Sequence, residues 1–398
     1  MTTLSISDID VKDKRVLCRV DFNVPLDGDV VTDNKRIEAA LPTIKHIIEN
    51  GGKCILMSHL GRPKGEKNLK YSLKPASVEL SKLLGLTVAF TENCIGEEAE
   101  NAANNLKGGD VLLLENLRFH PEEEKNDPEF SKKLAGLGDV FVNDAFGTAH
   151  RAHASTDGTP RLFKIAACGF LIDCELKFLG DTVSNPQSPF VAIMGGAKVK
   201  DKIKVLNNLL PIVDKLIIGG GMTYTFFKAQ GLEIGDSLLD SGSIDFAKEM
   251  LDKYSDKILL PTDSLITNGL NFDDKTLGDT QFQAKGDFPA GWEGVDIGPE
   301  TIKSFSEVIM NAKTVLWNGP MGVFEIEESA KGTMSLAHKL AEATENGTIS
   351  IIGGGDSAAA VKKAGLASKM THVSTGGGAS LEFLEGKALP GIAALSTK

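Results

Sequence analysis

The chain has 398 residues, of which 41% are hydrophobic and 24% are charged, and its formal net charge is −11. This length predicts two or three globular domains, and the acidic balance excludes general binding to nucleic acids or anionic membranes. No stretch is long and apolar enough to span a membrane, and the first residues lack the basic and apolar regions of a signal peptide. The five cysteines form no Cys-x-x-Cys pair, which favours reduced thiols in the cytoplasm over a catalytic cysteine.

Short apolar runs alternate with helical patterns along the whole chain. Runs without polar alternation are typical of strands buried on both faces, and ten segments have this character: 15–20, 53–58, 110–116, 139–144, 189–194, 214–219, 257–261, 314–319, 348–353 and 371–375. Between them lie amphipathic helices. In the first, Ile37, Leu41, Ile44 and Ile48 share one face, and Pro42 is expected to separate the first turn. This alternation predicts an α/β protein with parallel sheets.

A boundary between two domains is predicted near residue 184, where a helical pattern ends in the polar, proline-containing segment SNPQSP. The two sides of this boundary differ in composition. All seven arginines and five of the seven histidines lie at or before residue 161, whereas glycine doublets and triplets after apolar strands concentrate beyond residue 190. The first side therefore suits recognition of anions by side chains, and the second suits recognition of anions by the backbone.

Glycines follow four apolar strands of the second half, at 195–196, 219–221, 353–355 and 376–378. Such a turn lets backbone N–H groups approach a phosphate closely at the carboxyl edge of a parallel sheet. A single one is more commonly a plain tight turn, but four favour a phosphate or nucleotide cradle. Residues 353–358 fit the dinucleotide pattern G-x-G-x-x-A, but the acidic residue expected about 20 positions later is missing, and no P-loop occurs.

Two lysines, Lys198 and Lys202, follow the first of these glycine turns. Their spacing of four places them on one face at the start of a helix, where they could neutralise phosphoryl oxygens. A solvated basic face is the commoner explanation for such a pair. However, cations in a first helical turn oppose the helix dipole, and this favours a bound anion.

Four polar segments of the first half begin at or just beyond the end of an apolar strand: 19–26, 58–65, 115–124 and 143–155. Parallel strands end at one edge of the sheet, so four cationic or aromatic-nitrogen side chains are expected to converge there: Arg62, Arg118, Arg151 and His59. Arg36 could join them. Three or more converging arginines indicate a phosphate or carboxylate ligand, although each alone could be a surface ion pair.

Acidic and amide side chains accompany these basic segments. Asp21 and Asn23, just after the first strand, could orient a hydroxyl of a ligand or simply form a turn. The run Glu122–Glu124 is predicted to be a solvated face.

Eight segments resemble those of the phosphoglycerate kinase family and occur in its order: RVDFNVPL, SHLGRPKG, ENLRFHPEEE, DAFGTAHRAHAS, GGAKVKDKI, WNGPMGVFE, GGGDSAAA and STGGGASLEFLEGKALPGI. They span nearly the whole chain. The resemblance implies an α/β protein with two doubly wound parallel-sheet (Rossmann-like) domains joined by a helical hinge. Residues 1–170 with a returning tail, 379–398, would bind phosphoglycerate. Residues 171–188 would form the interdomain helix and hinge, and 189–378 would bind the nucleotide.

The resemblance also implies an activity. It is reversible phosphoryl transfer from 1,3-bisphosphoglycerate to Mg-ADP, giving 3-phosphoglycerate and ATP, in glycolysis and gluconeogenesis, by a cytoplasmic monomer with Mg²⁺ on the nucleotide. The acceptor carboxylate of 3-phosphoglycerate is ionised at pH 7, so no general base is expected. In-line transfer requires reacting atoms about 3–3.5 Å apart, so the two domains are expected to close about the hinge.

Site residues follow from the same resemblance, position by position. Phosphoglycerate binding is assigned to Asp21, Phe22, Asn23, Arg36, His59, Leu60, Gly61, Arg62, Arg118 and Arg151. Nucleotide binding is assigned to Gly196, Lys198, Lys202, Gly294, Asn318, Glu325, Gly354, Gly355, Asp356 and Ser357. The expected catalytic residues are Arg36, Lys202 and Gly377, the last at a helix N-terminus that steadies the moving phosphoryl group. Asp356 is the expected contact to Mg²⁺.

Two other functions are compatible with parts of the sequence. An NAD-dependent oxidoreductase would explain the G-x-G-x-x-A pattern, but it would explain neither the missing acidic residue nor the arginines. A two-lobed small-molecule binding protein would explain two α/β lobes and a hinge, but such proteins usually carry a signal peptide. Formation of ATP in a coupled assay distinguishes the kinase from both.

Overall fold

The computed structural model describes residues 3–398, apart from the side chains of Asp181 and Val183. The chain forms two compact units. The first comprises the chain up to Lys177 together with Ala388–Lys398, and the second is Phe178–Lys387. Each unit is built on a six-stranded parallel sheet. The predicted α/β fold with two doubly wound parallel sheets is therefore confirmed.

The first unit contains strands β1 to β8. They are β1 (Arg15–Arg19), β2 (Leu26–Asp27), β3 (Val30–Val31), β4 (Lys53–Met57), β5 (Val88–Phe90), β6 (Val111–Leu113), β7 (Val140–Asn143) and β8 (Ala166–Cys168). β2 and β3 form an antiparallel hairpin. The others form the parallel sheet in the order β5-β6-β4-β1-β7-β8. The chain runs outward from β1 to β4 on one side and later places β7 on the other, so ligands are expected where β1 and β7 end.

The helices of the first unit connect these parallel strands. They are α1 (Lys35–Glu49), α2 (Lys74–Leu84), α3 (Glu97–Asn105), α4 (Pro121–Glu124), α5 (Pro128–Ala135) and α6 (Phe170–Ser184). The boundary between the two units falls inside α6.

Helix α1 differs from its predicted form at Pro42. Ile37 and Ile44 are buried on its inner face, as their spacing predicts, but the helix runs through Pro42 without a break. Pro42 and Glu38 are both exposed, so the Glu38 carbonyl, which loses its helical donor to the proline ring, can be hydrated. The expected separation of the first turn is therefore wrong.

The second unit repeats the parallel sheet and adds antiparallel strands. Its strands are β9 (Phe190–Met194), β10 (Lys215–Ile218), β11 (Ile258–Leu259), β12 (Asp263–Thr267), β13 (Leu270–Asn271), β14 (Thr276–Leu277), β15 (Thr280–Ala284), β16 (Glu293–Ile297), β17 (Thr314–Asn318), β18 (Ile349–Gly353) and β19 (His372–Val373). The parallel sheet has the order β11-β10-β9-β17-β18-β19, and β15-β12-β16 and β13-β14 form separate antiparallel sheets. The strand order reverses between β9 and β17, which marks their carboxyl ends as the expected ligand edge.

The helices of the second unit are α7 (Ile203–Leu209), α8 (Met222–Ala229), α9 (Ile244–Lys253), α10 (Pro299–Met310), α11 (Lys331–Glu345), α12 (Gly355–Lys363) and α13 (Gly378–Leu384). Short 3-10 helices lie at Ile6–Asp8, Leu69–Tyr71, Leu117–Phe119, Phe146–Thr148, Pro160–Leu162, Val199–Asp201, Ser241–Ser243 and Ala367–Lys369, and one π-helical turn lies at Ala154–Gly158. Within residues 3–398, none of the helices combines the length and the apolar character that crossing a bilayer requires.

All ten strands predicted from the sequence are present within their predicted ranges. Strands β5 and β8, which are three residues each, were not predicted, and neither were the antiparallel strands of the two units. The predicted returning tail, 379–398, is divided between the two units. Helix α13 belongs to the second unit, where the Asn208 side chain donates a hydrogen bond to the Leu384 carbonyl at 2.7 Å.

The last segment, Ala388–Lys398, completes the first unit. It contains α14 (Pro390–Ala393). The Asn143 amide at the end of β7 donates to the Gly391 carbonyl at 2.9 Å, and Ser396 donates from its backbone N–H to the Ala166 carbonyl at 2.8 Å. The two ends of the chain thus meet beside β7 and β8.

Candidate active site

His59 lies within a cluster of cations at the carboxyl edge of the first sheet. Its ring is buried, and four guanidinium groups act on it electrostatically: Arg19, Arg118, Arg151 and Arg36. Burial, followed by these four charges, holds the pKa of His59 well below its usual range, so the ring is neutral at pH 7. The structure therefore brings together three of the arginines and the histidine that the sequence singled out.

Asp21 and Asn23 hold two parts of this edge in place. Arg36 donates from Nη1 to Asp21 Oδ2 at 2.7 Å, and its side chain is 43% exposed. Gly61 donates from its backbone N–H to Asn23 Oδ1 at 2.9 Å. Gly61 has φ of 62°, and a Cβ there would overlap the ring of Tyr71, so this turn requires glycine.

Arg118 and Arg62 differ in burial, although the sequence analysis placed both in one group of converging side chains. Arg118 is buried, donates from Nη1 to the Gly61 carbonyl at 2.9 Å, and lies with Nε 3.3 Å from Glu124 Oε1. Burial lowers the pKa of Arg118 to about 10, so it remains charged. Arg62, beside Gly61, is exposed, and Arg151 is half-buried with Nε donating to His150 Nε2 at 3.3 Å. A ligand at this edge would therefore meet both fixed and exposed arginines.

Two of the predicted phosphoglycerate contacts are core residues. The side chains of Phe22 and Leu60 belong to the apolar core of the first unit, with exposed fractions of 0% and 4%. Their backbones are also engaged, since Phe22 N–H donates to Ser58 Oγ and the Leu60 carbonyl accepts from Asn116 Nδ2. The two side chains face the core, so a contact of either residue with phosphoglycerate stays a prediction, and both residues support the loops that carry their neighbours.

Arg19 and Glu123 form a buried charged network that the sequence analysis missed. Glu123 is fully buried and accepts hydrogen bonds from the Ser155 hydroxyl at 2.6 Å and the Ser155 backbone N–H at 2.9 Å. Arg19 donates from Nε to Ser155 Oγ at 2.9 Å and from Nη1 to the Val20 carbonyl. The expectation of a solvated face is therefore wrong for Glu123, because the fold turns it inward to oppose the charge of Arg19.

In the second unit, the loops after β9, β10 and β17 touch through their glycine backbones. A Cβ on Gly195 would overlap the Pro320 carbonyl, and one on Gly220 would lie 2.7 Å from the Gly196 backbone nitrogen. Gly220 also has φ of 68°, in the left-handed region. These glycines are required for the close approach of three loops at the ligand edge of the sheet.

Lys202 lies at this edge, and its ammonium donates a hydrogen bond to Asn318 Oδ1 at the end of β17. Burial lowers the pKa of Lys202 to about 8, although nearby acids including Asp356 act in the opposite direction. Lys198 is exposed and has an extended backbone, and a 3-10 turn separates it from Lys202. The expectation that the two lysines share one helical face is therefore wrong, because α7 begins only at Ile203.

Beside this edge, several predicted nucleotide contacts line one cavity of about 300 Å³, which lies in the size range of small-molecule sites. The predicted residues in its wall are Gly196, Gly294, Glu325 and Asp356, and the apolar part includes Tyr224, Leu238, Phe272 and Val323. A Cβ on Gly294 would overlap the Tyr224 hydroxyl. A larger groove of about 630 Å³ beside Lys248 and Phe305 contains none of the glycine turns, so the smaller cavity is the better nucleotide candidate.

Helix α12 begins directly at the glycine triplet 353–355. Gly354 has φ of 86°, Asp356 is exposed in the first turn, and the buried hydroxyl of Ser357 accepts from the Gly319 backbone N–H at 2.5 Å. The last triplet, 376–378, similarly precedes α13, and Gly377 has φ of 50°. The two triplets thus start helices whose first N–H groups lack helical partners.

The donor set at this edge suits a metal that arrives with a ligand. Throughout residues 3–398 there is no cluster of three or more His, Cys, Asp or Glu side chains able to hold a metal ion. Mg²⁺ is commonly bound by one or two carboxylates together with phosphate oxygens. The exposed carboxylate of Asp356 fits that mode.

Comparisons with known proteins agree with these features. A family model described as phosphoglycerate kinase matches residues 6–387. Over its full length the chain is 56% identical to the phosphoglycerate kinase of Chloroherpeton thalassium and 55% identical to that of Prosthecochloris aestuarii, and both relatives are covered completely. The solved phosphoglycerate kinase structures from Coxiella burnetii and Pyrococcus horikoshii superpose with TM-scores of 0.90 and 0.82 at 40% and 34% identity, each over 98% of both chains. The chain therefore belongs to the phosphoglycerate kinase family.

Proposed function

We propose that this chain, a phosphotransferase of that family, transfers a phosphoryl group reversibly from 1,3-bisphosphoglycerate to Mg-ADP, giving 3-phosphoglycerate and ATP. The observation that carries this proposal is the group of four guanidiniums around the neutral ring of His59. Like charges that converge at one edge of a sheet favour binding of a multiply charged anion there. An acid bearing a phosphate and a carboxylate has the required charge.

The phosphoglycerate is assigned to the first unit. Arg118, Arg151 and exposed Arg62 would bind its phosphate, with His59 as a neutral donor. Asp21 is bonded to Arg36 and Asn23 to Gly61, and these two side chains would orient the hydroxyl of the phosphoglycerate. The Arg36 guanidinium is only partly committed, since it is 43% exposed and has one bond to Asp21, so it can turn to the reacting carboxylate.

The nucleotide is assigned to the second unit. The base and ribose would occupy the cavity that Gly294 and Glu325 line, and the phosphates would face the glycine turns and Lys202. Asn318 holds the Lys202 ammonium at the loop edge. Lys198, being exposed, would contact the phosphates from the solvent side.

The chemistry requires positioning and charge rather than proton transfer. Written toward ADP, a carboxylate oxygen of 3-phosphoglycerate bonds to the γ-phosphorus of ATP while the bond from that phosphorus to the β,γ-bridging oxygen breaks, and ADP leaves with the electron pair. No proton moves, because the carboxylate is already ionised. Arg36, Lys202 and the N–H groups after Gly377 would stabilise the phosphoryl oxygens. Asp356 would hold Mg²⁺ together with the nucleotide phosphates, and the ion would supply further neutralisation of the phosphate charge.

We also propose that the protein closes about the 171–188 segment when both ligands are bound, because in-line transfer needs the reacting atoms about 3–3.5 Å apart. Small-angle scattering should then give a smaller radius of gyration with 3-phosphoglycerate and Mg-ADP together than with either alone. An unchanged radius in all four ligand states would reject closure about the 171–188 segment.

The assignment of ligands is tested by calorimetry and a coupled assay. Calorimetry should detect one site for 3-phosphoglycerate and one for Mg-ADP, and steady-state turnover should require both substrates and Mg²⁺. Turnover with NAD and no phosphoryl donor would instead support an oxidoreductase. Binding of the acid without any turnover would support a binding protein.

We further propose that the protein works as a cytoplasmic monomer. The acidic composition and the membership of the phosphoglycerate kinase family support this proposal. Light scattering at working concentration would test the oligomeric state, and fractionation of cells would test the location.

A further inference from the structure

We propose that Arg19, held by Ser155 and Glu123, is a positioning residue that fixes His59 as the neutral tautomer protonated at Nε2. His59 then offers one directed N–H donor to the acid. This inference rests on the proposed function, since it assigns His59 to the phosphoglycerate site. The tautomer itself can be tested without any ligand.

The first step is the hydrogen bond between Arg19 and His59. Arg19 Nη2 lies 3.2 Å from His59 Nδ1. A guanidinium has five N–H donors, no acceptor, and a proton that it does not lose in proteins. His59 Nδ1 must therefore accept, and the single proton of the neutral ring resides on Nε2. The opposite tautomer would place two N–H groups against each other.

The second step is the support of Arg19 itself. Its Nε donates to Ser155 Oγ, whose own proton goes to Glu123 Oε1 at 2.6 Å. Arg19 and Glu123 are 1% and 0% exposed. A buried cation is tolerated when a buried anion and satisfied hydrogen bonds oppose its charge. Glu123 and Ser155 therefore fix both the charge and the direction of Arg19.

The third step concerns the charges that surround His59. Arg19 comes from β1, Arg36 from α1, Arg118 from the 3-10 turn after β6, and Arg151 from the loop after β7; all four act against an imidazolium. A protonated His59 would add a fifth cation and would require Nδ1 to donate toward Arg19. The cluster thus supplies charge through its arginines and a directional donor through His59, which separates the two tasks.

The first experiment is nitrogen NMR of the imidazole rings in the ligand-free protein. We expect His59 to show the Nε2–H tautomer at pH 7 and to titrate well below the usual pKa of a histidine. The test variant is the double substitution Arg19→Met with Glu123→Gln, which removes both buried charges together and so avoids leaving one unpaired. In this variant we expect His59 to populate the Nδ1–H tautomer and to titrate nearer its ordinary pKa. The KM for 3-phosphoglycerate should rise roughly tenfold, as for loss of one hydrogen bond to a charged group, while the KM for Mg-ADP is unchanged.

The matched control is Arg15→Met, at the other end of β1, where Arg15 pairs with Asp139 on the surface. It should alter neither the spectrum of His59 nor either KM. An Nδ1–H tautomer in the unsubstituted protein, or an unchanged His59 spectrum in the double variant, would overturn the proposal. If the tautomer responds as expected but 3-phosphoglycerate shifts no His59 signal, the tautomer assignment stands and the placement of His59 in the phosphoglycerate site fails.

Discussion

The carboxyl edges of the two parallel sheets differ in the groups that they present to an anion. At the end of β1 in the first unit, charged side chains converge, and Arg19 and Arg118 are buried. At the ends of β9 and β17 in the second unit, glycine backbones touch, and Lys202 is the partly buried cation. Both edges lie where the strand order reverses. The same topology therefore supports two ways of binding an anion, through side chains and through the backbone.

This difference determines how each edge responds to substitution. A side-chain site loses function when an exposed group is removed, and the fold is largely unaffected. A backbone site has no side chain to remove, so it is damaged by adding a Cβ. In the first unit the cations Arg19 and Arg118 are themselves buried, and the inward carboxylate of Glu123 opposes the charge of Arg19.

Arg36→Ala should lower kcat by roughly 10³–10⁵, the range for a transition-state arginine in phosphoryl transfer. The melting temperature should not change, because the ion pair of Arg36 with Asp21 is partly exposed. Steady-state kinetics and thermal unfolding measure both. Arg161→Ala, which breaks an exposed pair with Asp157, is the control and should retain full activity. Near-normal turnover of the Arg36 variant would reject its role.

Gly220→Ala should damage the nucleotide edge. The new Cβ would press on the Gly196 backbone at a residue with φ of 68°. Left-handed backbone costs roughly 1–2 kcal/mol for a residue with a Cβ, and the clash adds to this. We expect weaker Mg-ADP binding by tenfold or more, with intact 3-phosphoglycerate binding.

The control for this prediction is Gly231→Ala, which has φ of 81° but open space around the added Cβ. It should lose stability without losing Mg-ADP affinity. If Gly220→Ala and Gly231→Ala bind Mg-ADP equally well, the close approach of Gly220 to the Gly196 backbone is not required for nucleotide binding.

Asp356→Asn should weaken Mg-ADP binding by roughly tenfold, or about 1.4 kcal/mol, because the exposed carboxylate is lost while helix α12 is retained. Calorimetry with each ligand separately measures the effect, and 3-phosphoglycerate affinity should be unchanged. Equal losses for both ligands would show that the two sites are not divided between the units.

The smallest effect concerns the pH dependence of Lys202, whose pKa is about 8 in the free protein. A bound phosphate stabilises the ammonium and raises this pKa, so binding takes up a proton above pH 8. The dissociation constant of ADP should therefore rise several-fold between pH 7 and pH 9. Lys202→Met should abolish this change, and an unaltered pH profile in that variant would contradict the assignment.

Lys202 also gives a stability test with a defined sign. Its folded pKa lies below the ordinary value of 10.5, so the unfolded chain binds more protons between pH 8 and pH 10.5. The unsubstituted protein should gain stability across that window as the cost of the buried charge disappears. Lys202→Met should lack this gain, which urea unfolding at several pH values would measure.

The sequence predicted ten of the twelve parallel strands, because buried strands such as β9 and β17 are continuous apolar runs. It did not predict β8, whose residues Ala166–Cys168 have little β propensity. Nor did it predict β15, which is polar and largely exposed. These strands exist because neighbouring strands pair with them.

The site shows the same division. The convergence of Arg118, Arg151 and His59 follows from the rule that parallel strands end at one edge. The burial of Glu123 does not, since it depends on Ser155 arriving from a segment 32 positions later. A glutamate between two other glutamates gives no local signal that it alone turns inward. The separation of Lys198 from Lys202 by a 3-10 turn was likewise hidden, because spacing alone assumes a regular helix.

The returning segment Ala388–Lys398 has a consequence for synthesis on the ribosome. The first unit needs this segment for its bonds to Asn143 and Ala166, yet about 210 residues of the second unit are made in between. At roughly 5–20 residues per second, that interval is roughly 10–40 s. During this time the strands β7 and β8 lack their final partners, whereas the second unit has all of its own chain as soon as Lys387 has been added. The half that is translated first is therefore the half that is completed last.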